Sequence, residues 1–172
     1  MSSNNAQSQS KILNYLPALC NQIRRLAIEA GEVTLEFFDE AGYQGADVKG
    51  DGSPVTLADQ KAEVLIEQAL KEITPEVIIV GEEAASEGYR PDLSNEEYFW
   101  LVDPLDGTKE FISGSGDYTV NIALIKNGVP VLGVVYAPVS GDLYAAHGEG
   151  TAVKYNDDNE TEKSIRVRKA PD

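Results

Sequence analysis

Tyr118-Thr119-Val120-Asn121-Ile122-Ala123-Leu124-Ile125-Lys126-Asn127-Gly128-Val129-Pro130-Val131-Leu132-Gly133-Val134-Val135-Tyr136-Ala137 is the stretch on which the fold turns. Its residues are β-branched, aliphatic and aromatic, and Asn127-Gly128 stands between two such runs, the strongest short-range signal for a hairpin. Strands are predicted at Thr119 to Ile125, Val131 to Ala137, Leu143 to Ala146 and Ile165 to Val167. Ser140-Gly141 supplies a second tight turn, so this half reads as an antiparallel meander. Asn156 to Lys163, rich in charge, is predicted to be a solvated loop.

Outward from the meander the period changes. Leu16, Leu19, Ile23, Leu26, Ala30, Val33 and Phe37 recur in steps of 3 and 4, one face of a long helix whose first turn suits Pro17. Cys20 lies beside that stripe and reads as a small core residue. A second helix is expected from about Thr56 to Ile73, burying Ala58, Ala62, Leu65, Ala69 and Ile73, with Pro75 just beyond its end. Val77 to Val80 and Tyr98 to Val102 are short buried strands, the second with Trp100 as a packing residue. A polar connection, Glu87 to Glu97, joins them. Gly42 to Ser53 is a Gly- and Asp-rich loop carrying Lys49, and Met1 to Ser10 a flexible lead. Two helices on a mostly antiparallel sheet make residues 11–172 an α+β unit.

The chain has 172 residues, enough for one well-packed domain. Its 14 Lys and Arg against 29 Asp and Glu give a net charge of −15. Basic pairs are confined to Arg24-Arg25 and to Arg166, Arg168 and Lys169, so binding to duplex nucleic acid or anionic lipid is not expected. Bound cations would let so acidic a chain handle phosphate. One cysteine excludes an intrachain disulfide, and neither a signal peptide nor a membrane span is legible. A cytoplasmic protein is expected.

Chemistry concentrates in Asp103-Pro104-Leu105-Asp106-Gly107-Thr108. A strand delivers Asp103, Pro104 stiffens the chain, and Asp106 follows three residues later. Both carboxylates, with the Leu105 carbonyl between them, can address one hard cation such as Mg²⁺. Gly107 permits close backbone approach, and Thr108 opens a helical turn whose N–H groups suit a phosphate. The same segment is also a good turn sequence in which Asp106 merely caps the short helix. Gly81-Glu82-Glu83 ends the other strand, where Glu82 is the better candidate ligand and Glu83 a solvated charge. Asp59 has two readings that exclude neither: the last residue of a capping box Thr56-Leu57-Ala58-Asp59, and a proton acceptor for the Thr108 hydroxyl that helps activate water. Lys49 is an exposed loop lysine that can touch an anion. His147, the sole histidine, reads as surface and supports neither a Ser-His triad nor a zinc site.

Trp100-Leu101-Val102-Asp103-Pro104-Leu105-Asp106-Gly107-Thr108 resembles the signature of the Mg²⁺-dependent, lithium-sensitive phosphatases related to inositol monophosphatase. Gly81-Glu82-Glu83 resembles that family's upstream metal motif, and Ser53-Pro54-Val55-Thr56 through Asp59-Gln60 its helix with the water-activating Asp. Lys109-Glu110-Phe111-Ile112, Thr119 to Ile125 and Gly133-Val134-Val135-Tyr136-Ala137-Pro138 resemble the CysQ-type 3′(2′),5′-bisphosphate nucleotidase branch. The resemblance implies the first lobe of the layered inositol monophosphatase/fructose bisphosphatase fold. It also implies removal of the 3′-phosphate from adenosine 3′,5′-bisphosphate, in sulfate assimilation, with two or three Mg²⁺ ions.

By the same resemblance Glu82, Asp103 and the Leu105 carbonyl hold one ion, Asp103 and Asp106 share a second, and Glu82 helps a third through water. Glu82, Leu105, Asp106, Gly107 and Thr108 face the phosphate, and Thr108 with Asp59 orients the attacking water. Two such ions roughly 3.5–4 Å apart steady an in-line displacement. Family chains continue into a second α/β lobe with a further metal-binding Asp, so the expectation here is the metal-binding lobe alone. Apolar surface exposed where that lobe docks is expected to favour a homodimer, and a peripheral place at the inner membrane is a second expected location. An inositol or fructose phosphatase is the nearest alternative activity, and a non-catalytic metal- or partner-binding fragment is the alternative of another class.

Overall fold

The computed structural model describes residues 11–44, 53–82, 85 and 88–169; the lead to Ser10, Lys49, Glu83 and Glu87 lie outside them. After a 3₁₀ turn at Lys11–Asn14, helix α1 (Leu16–Leu35) and helix α2 (Pro54–Ile73) precede strands β1 (Ile78–Gly81) and β2 (Tyr98–Asp106). A short helix α3 (Thr108–Ser113) follows, then β3 (Thr119–Lys126), β4 (Val129–Ala137), β5 (Asp142–Ala146), β6 (Val153–Asn156) and β7 (Thr161–Ser164). The seven strands form one sheet in sequence order, β1 parallel to β2 and every later pair antiparallel. Helices α1, α2 and α3 packed with a mostly antiparallel mixed sheet give the expected α+β class. Among the described residues no helix is long and apolar enough to cross a membrane.

Alternation places Trp100, Val102, Val120, Ile122, Leu124, Leu132, Val134, Tyr136, Leu143 and Ala145 on one face, all buried. Against them α1 lays Leu19, Ile23, Leu26 and Ala30, and α2 lays Ala62, Ile66 and Leu70. Each large aliphatic side chain so removed from water contributes about 1.5–3 kcal/mol. Gly31 lets α1 close on β4: a Cβ there would stand 2.5 Å from the Tyr136 ring. Trp100 does pack as expected, and its Nε1–H donates to Thr74 Oγ1 at 2.9 Å, tying the end of α2 to β2. Cys20 is buried in the same core, and burial pushes its thiol up.

The hairpin at Asn127-Gly128 has the positive φ values, 49° and 78°, of a primed turn. Four sequence expectations need correction. No strand forms at Ile165 to Val167; β7 precedes it, and β6 with β7 makes a hairpin out of most of the predicted loop. Every residue of β7 is exposed, so pairing to β6 rather than apolar alternation creates the strand. The buried stripe of α2 runs through Ile66 and Leu70, leaving Leu65, Ala69 and Ile73 half-covered. Helix α1 ends at Leu35, before Phe37. Finally, α2 starts at Pro54 with Ser53 as its cap, Ser53 Oγ accepting from the Thr56 N–H at 3.3 Å. Thr56 is therefore inside the helix, and Asp59, in its second turn, is not part of a capping box.

The opposite sheet face carries the exposed Leu101, Val135 and Tyr144. Ala123 and Gly133 keep its centre low, and the result is an apolar trough of about 320 Å³ that reaches Glu82, Asp103 and Asn121 at one end.

Candidate active site

The parallel register of β1 and β2 pairs Gly81 with Val102. The next residues on the two strands, Glu82 and Asp103, therefore emerge side by side. Asp103 and Asp106 are three apart, an odd separation that would send them to opposite faces of a regular strand. A register shift between them cancels this: Asp103 pairs with Asn121 and Asp106 with Thr119. Three residues of β2 thus span the distance of two on β3, and both carboxylates share a face. Pro104 and Leu105, within the irregularity, are both buried. Pro104 can sit in this inner strand because the bulge relieves it of a ladder bond. Strand β2 accordingly runs through the motif instead of stopping at Val102.

Leu105 anchors the motif from below, packing with Ala58, Phe111 and Tyr118 and with the partly buried Phe37, Phe38, Tyr43 and Val55. Phe111 and Tyr118 meet edge to face at 5.0 Å between centroids. The Tyr118 hydroxyl pairs with Thr34 Oγ1 at 2.9 Å, so α1, α3 and β3 are held as one support. Gly107 has φ 101° and ψ 43°, and a Cβ there would lie 3.1 Å from Asp117 O and from Tyr118 Cα and Cβ. Only glycine makes that turn without strain. It places Thr108, exposed, as the first residue of α3, and the Phe111 N–H closes the first helical bond on Gly107 O at 2.9 Å.

Electrostatics mark the same spot. Burial raises the Asp103 carboxyl to about 7, helped by the Glu82 charge, a hydrogen bond with Glu82 and the Asp106 charge, while the Leu105 N–H pulls the other way. That N–H donates to Asp103 Oδ1 at 3.2 Å. Like charges held together in this way are what a divalent cation relieves. The donor set, carboxylate oxygens with no sulfur or imidazole, suits a hard cation such as Mg²⁺. Among the described residues no three His, Cys, Asp or Glu side chains already close into a ligand group; Glu82 and Asp103 touch, and Asp106 acts on Asp103 through charge.

Asp59 is half-buried on α2, next to Ala58, which packs on Leu105 and Phe111. Helices α2 and α3 are in contact, so Asp59 and Thr108 stand on neighbouring elements. His147 follows the end of β5, half-buried, away from these groups in the sheet order. Sequence reasoning assigned no role to Asn121. Its Nδ2 donates to Asp106 Oδ2 at 3.4 Å and its Oδ1 accepts from Thr119 Oγ1 at 3.2 Å. The available signal was one amide interrupting the apolar run Val120 to Ile125. The Glu63 carboxylate abuts Gly81, where a side chain on the strand would collide with it.

The profile of the inositol monophosphatase family matches residues 17–172. A 3′(2′),5′-bisphosphate nucleotidase CysQ of Escherichia coli O157:H7 is 43% identical over 152 residues, covering 88% of this chain and 60% of that protein. A fructose-1,6-bisphosphatase/inositol-1-monophosphatase of Aquifex aeolicus is 34% identical over 147 residues, 82% of this chain and 53% of that one. Among solved structures, CysQ from Bacteroides thetaiotaomicron superposes with a TM-score of 0.73 at 31% identity, over 92% of this chain and 61% of its own. The chain spans about 60% of the length of the CysQ relative from Escherichia coli.

Proposed function

Since this chain belongs to the inositol monophosphatase family, we propose that it serves a Mg²⁺-dependent phosphatase of the bisphosphate nucleotidase branch, one that removes the 3′-phosphate of adenosine 3′,5′-bisphosphate to leave AMP and phosphate. Enzymes of the family are in general Mg²⁺-dependent. The observation that carries the reading is that Glu82 and Asp103 touch and Asp106 shares their face, with Asp103 raised to about 7 by burial and by these two neighbours. The nucleotide in preference to an inositol phosphate is favoured by the 43% identity to a nucleotidase against 34% to an inositol monophosphatase. A place in sulfate assimilation and in the cytoplasm, and self-association through the face bearing Leu101 and Val135, belong to the same proposal.

In this reading Glu82, Asp103, Asp106 and the Leu105 carbonyl hold two or three Mg²⁺ ions in residues 11–172, acting as one metal-binding lobe. Such ions supply Lewis-acid polarisation of the phosphoryl oxygens and a nucleophilic water at neutral pH. Gly107 lets the backbone come close to the phosphate, and the Thr108 hydroxyl orients the attacking water, accepting the water's proton as it passes its own to the Asp59 carboxylate. Asp103 works as an anion, so the cation must displace the proton it holds below about pH 7.

Two measurements on the 172-residue chain test this. Calorimetric titration with Mg²⁺ is expected to show saturable binding that Asp103→Asn abolishes. Phosphate release with Mg²⁺ is expected from adenosine 3′,5′-bisphosphate ahead of inositol 1-phosphate, and is lost in Asp103→Asn and Asp106→Asn. Absence of saturable Mg²⁺ binding by the folded wild type overturns the metal site, and faster release from inositol 1-phosphate overturns the branch assignment.

A further inference from the structure

We propose that Asn121 is a positioning residue for Asp106, its amide setting the orientation in which that carboxylate meets a divalent cation. The inference rests on the cation reading above and extends it to a residue outside the ligand set.

The bulge in β2 puts Asp103 opposite Asn121 and Asp106 opposite Thr119. Asn121 therefore stands across from Asp103 on the carboxylates' side of the sheet, within reach of Asp106, and lines the same trough as Glu82 and Asp103. A carboxylate only accepts hydrogen bonds, so the NH₂ end of the amide must be the end facing Asp106. With the amide so turned, the Thr119 hydroxyl donates to Asn121 Oδ1 on the other side. Thr119, Asn121 and Asp106 thus form a directed chain ending on Asp106 Oδ2.

Asp106 is exposed, and an exposed carboxylate otherwise samples several rotamers, an ordering cost that falls on cation binding. A neutral donor lowers that cost without competing for the cation. A cationic side chain in its place would neutralise Asp106 instead of aiming it.

The test is Mg²⁺ titration by calorimetry on wild type, Asn121→Ala, Thr119→Val and the double variant, with metal-free melting followed for each. Groups that orient metal ligands typically change affinity 10–100-fold. With a 3.4 Å bond to an exposed oxygen, Asn121→Ala is expected near the low end, about tenfold weaker. Thr119→Val, nearly isosteric, should weaken binding less, and the double variant no further than Asn121→Ala alone, because both act along one chain. Metal-free melting should be unchanged in Thr119→Val. Wild-type affinity in Asn121→Ala, additive losses in the double variant, or losses that follow the metal-free melting temperature would each overturn the inference. If wild type binds and Asp103→Asn does not, those outcomes remove the role of Asn121 alone; no binding by wild type removes it together with the cation site.

Discussion

Replacing Asp103 by Asn should stabilise the metal-free protein while destroying its response to Mg²⁺. The folded chain holds the Asp103 carboxyl at about 7, against 3.8 for an unperturbed Asp. Between those values the folded state keeps a proton that the unfolded state has released. Stability therefore falls as pH rises from about 4 to 7 and levels off above. Each pH unit of separation corresponds to about 1.4 kcal/mol, so the ceiling is about 4 kcal/mol. Asp103 is only half-buried, and solvent screening reduces the realised loss to about 1–2 kcal/mol. Asn keeps the oxygen that accepts from the Leu105 N–H and offers Glu82 a donor, without the charge.

The assay is urea unfolding in chelator from pH 5 to 8.5, read by the fluorescence of Trp100, the sole tryptophan and fully buried. Wild type should lose about 1–2 kcal/mol across that interval, and Asp103→Asn should not, ending more stable at pH 8 by the same amount. Adding Mg²⁺ should restore the wild type and leave the variant unmoved. A flat wild-type profile, or a variant less stable than wild type at pH 8, would refute the argument that crowded carboxylates strain the empty site.

Gly107→Ala should cost about 1–3 kcal/mol, since φ 101° and backbone neighbours at 3.1 Å leave a Cβ nowhere to go; thermal melting measures it, and phosphate release should fall with it. Ser53→Ala removes the cap of the helix that carries Asp59 and should cost about 1 kcal/mol, whereas Asp59→Ala should leave capping untouched; helix content and urea midpoints separate the two. Tyr118→Phe deletes the hydroxyl that meets Thr34 under the motif and should cost about 1 kcal/mol in unfolding experiments, with the Thr34 bond to Gly31 O preserved.

The two long helices, the Asn127-Gly128 hairpin and the position of the acidic motif were legible because each rests on local pattern. The cap of α2 was not. Ser53 and Thr56 are both good capping residues, and Pro54, which fits only the first turn of a helix, was the cue that favoured Ser53. The β6–β7 hairpin was hidden for a different reason: Thr161-Glu162-Lys163-Ser164 buries nothing and becomes a strand only through its partner. Asn121 looked like an ordinary strand residue until its neighbours across the sheet were known.

By itself the sequence determined which groups are available and how far apart they lie along the chain: Asp103 and Asp106 three residues apart, Gly107 beside them, and Glu82 after another buried strand. Whether those carboxylates meet was decided elsewhere. Parallel pairing of β1 with β2 sets Glu82 beside Asp103. The extra residue of β2 against β3 turns an odd spacing into a shared face and sets Asn121 across from Asp103 and within hydrogen-bond reach of Asp106. The physical reason is that side-chain direction in a strand alternates with every residue, so facing depends on register. Register is set by partners distant in sequence, and no local pattern encodes it.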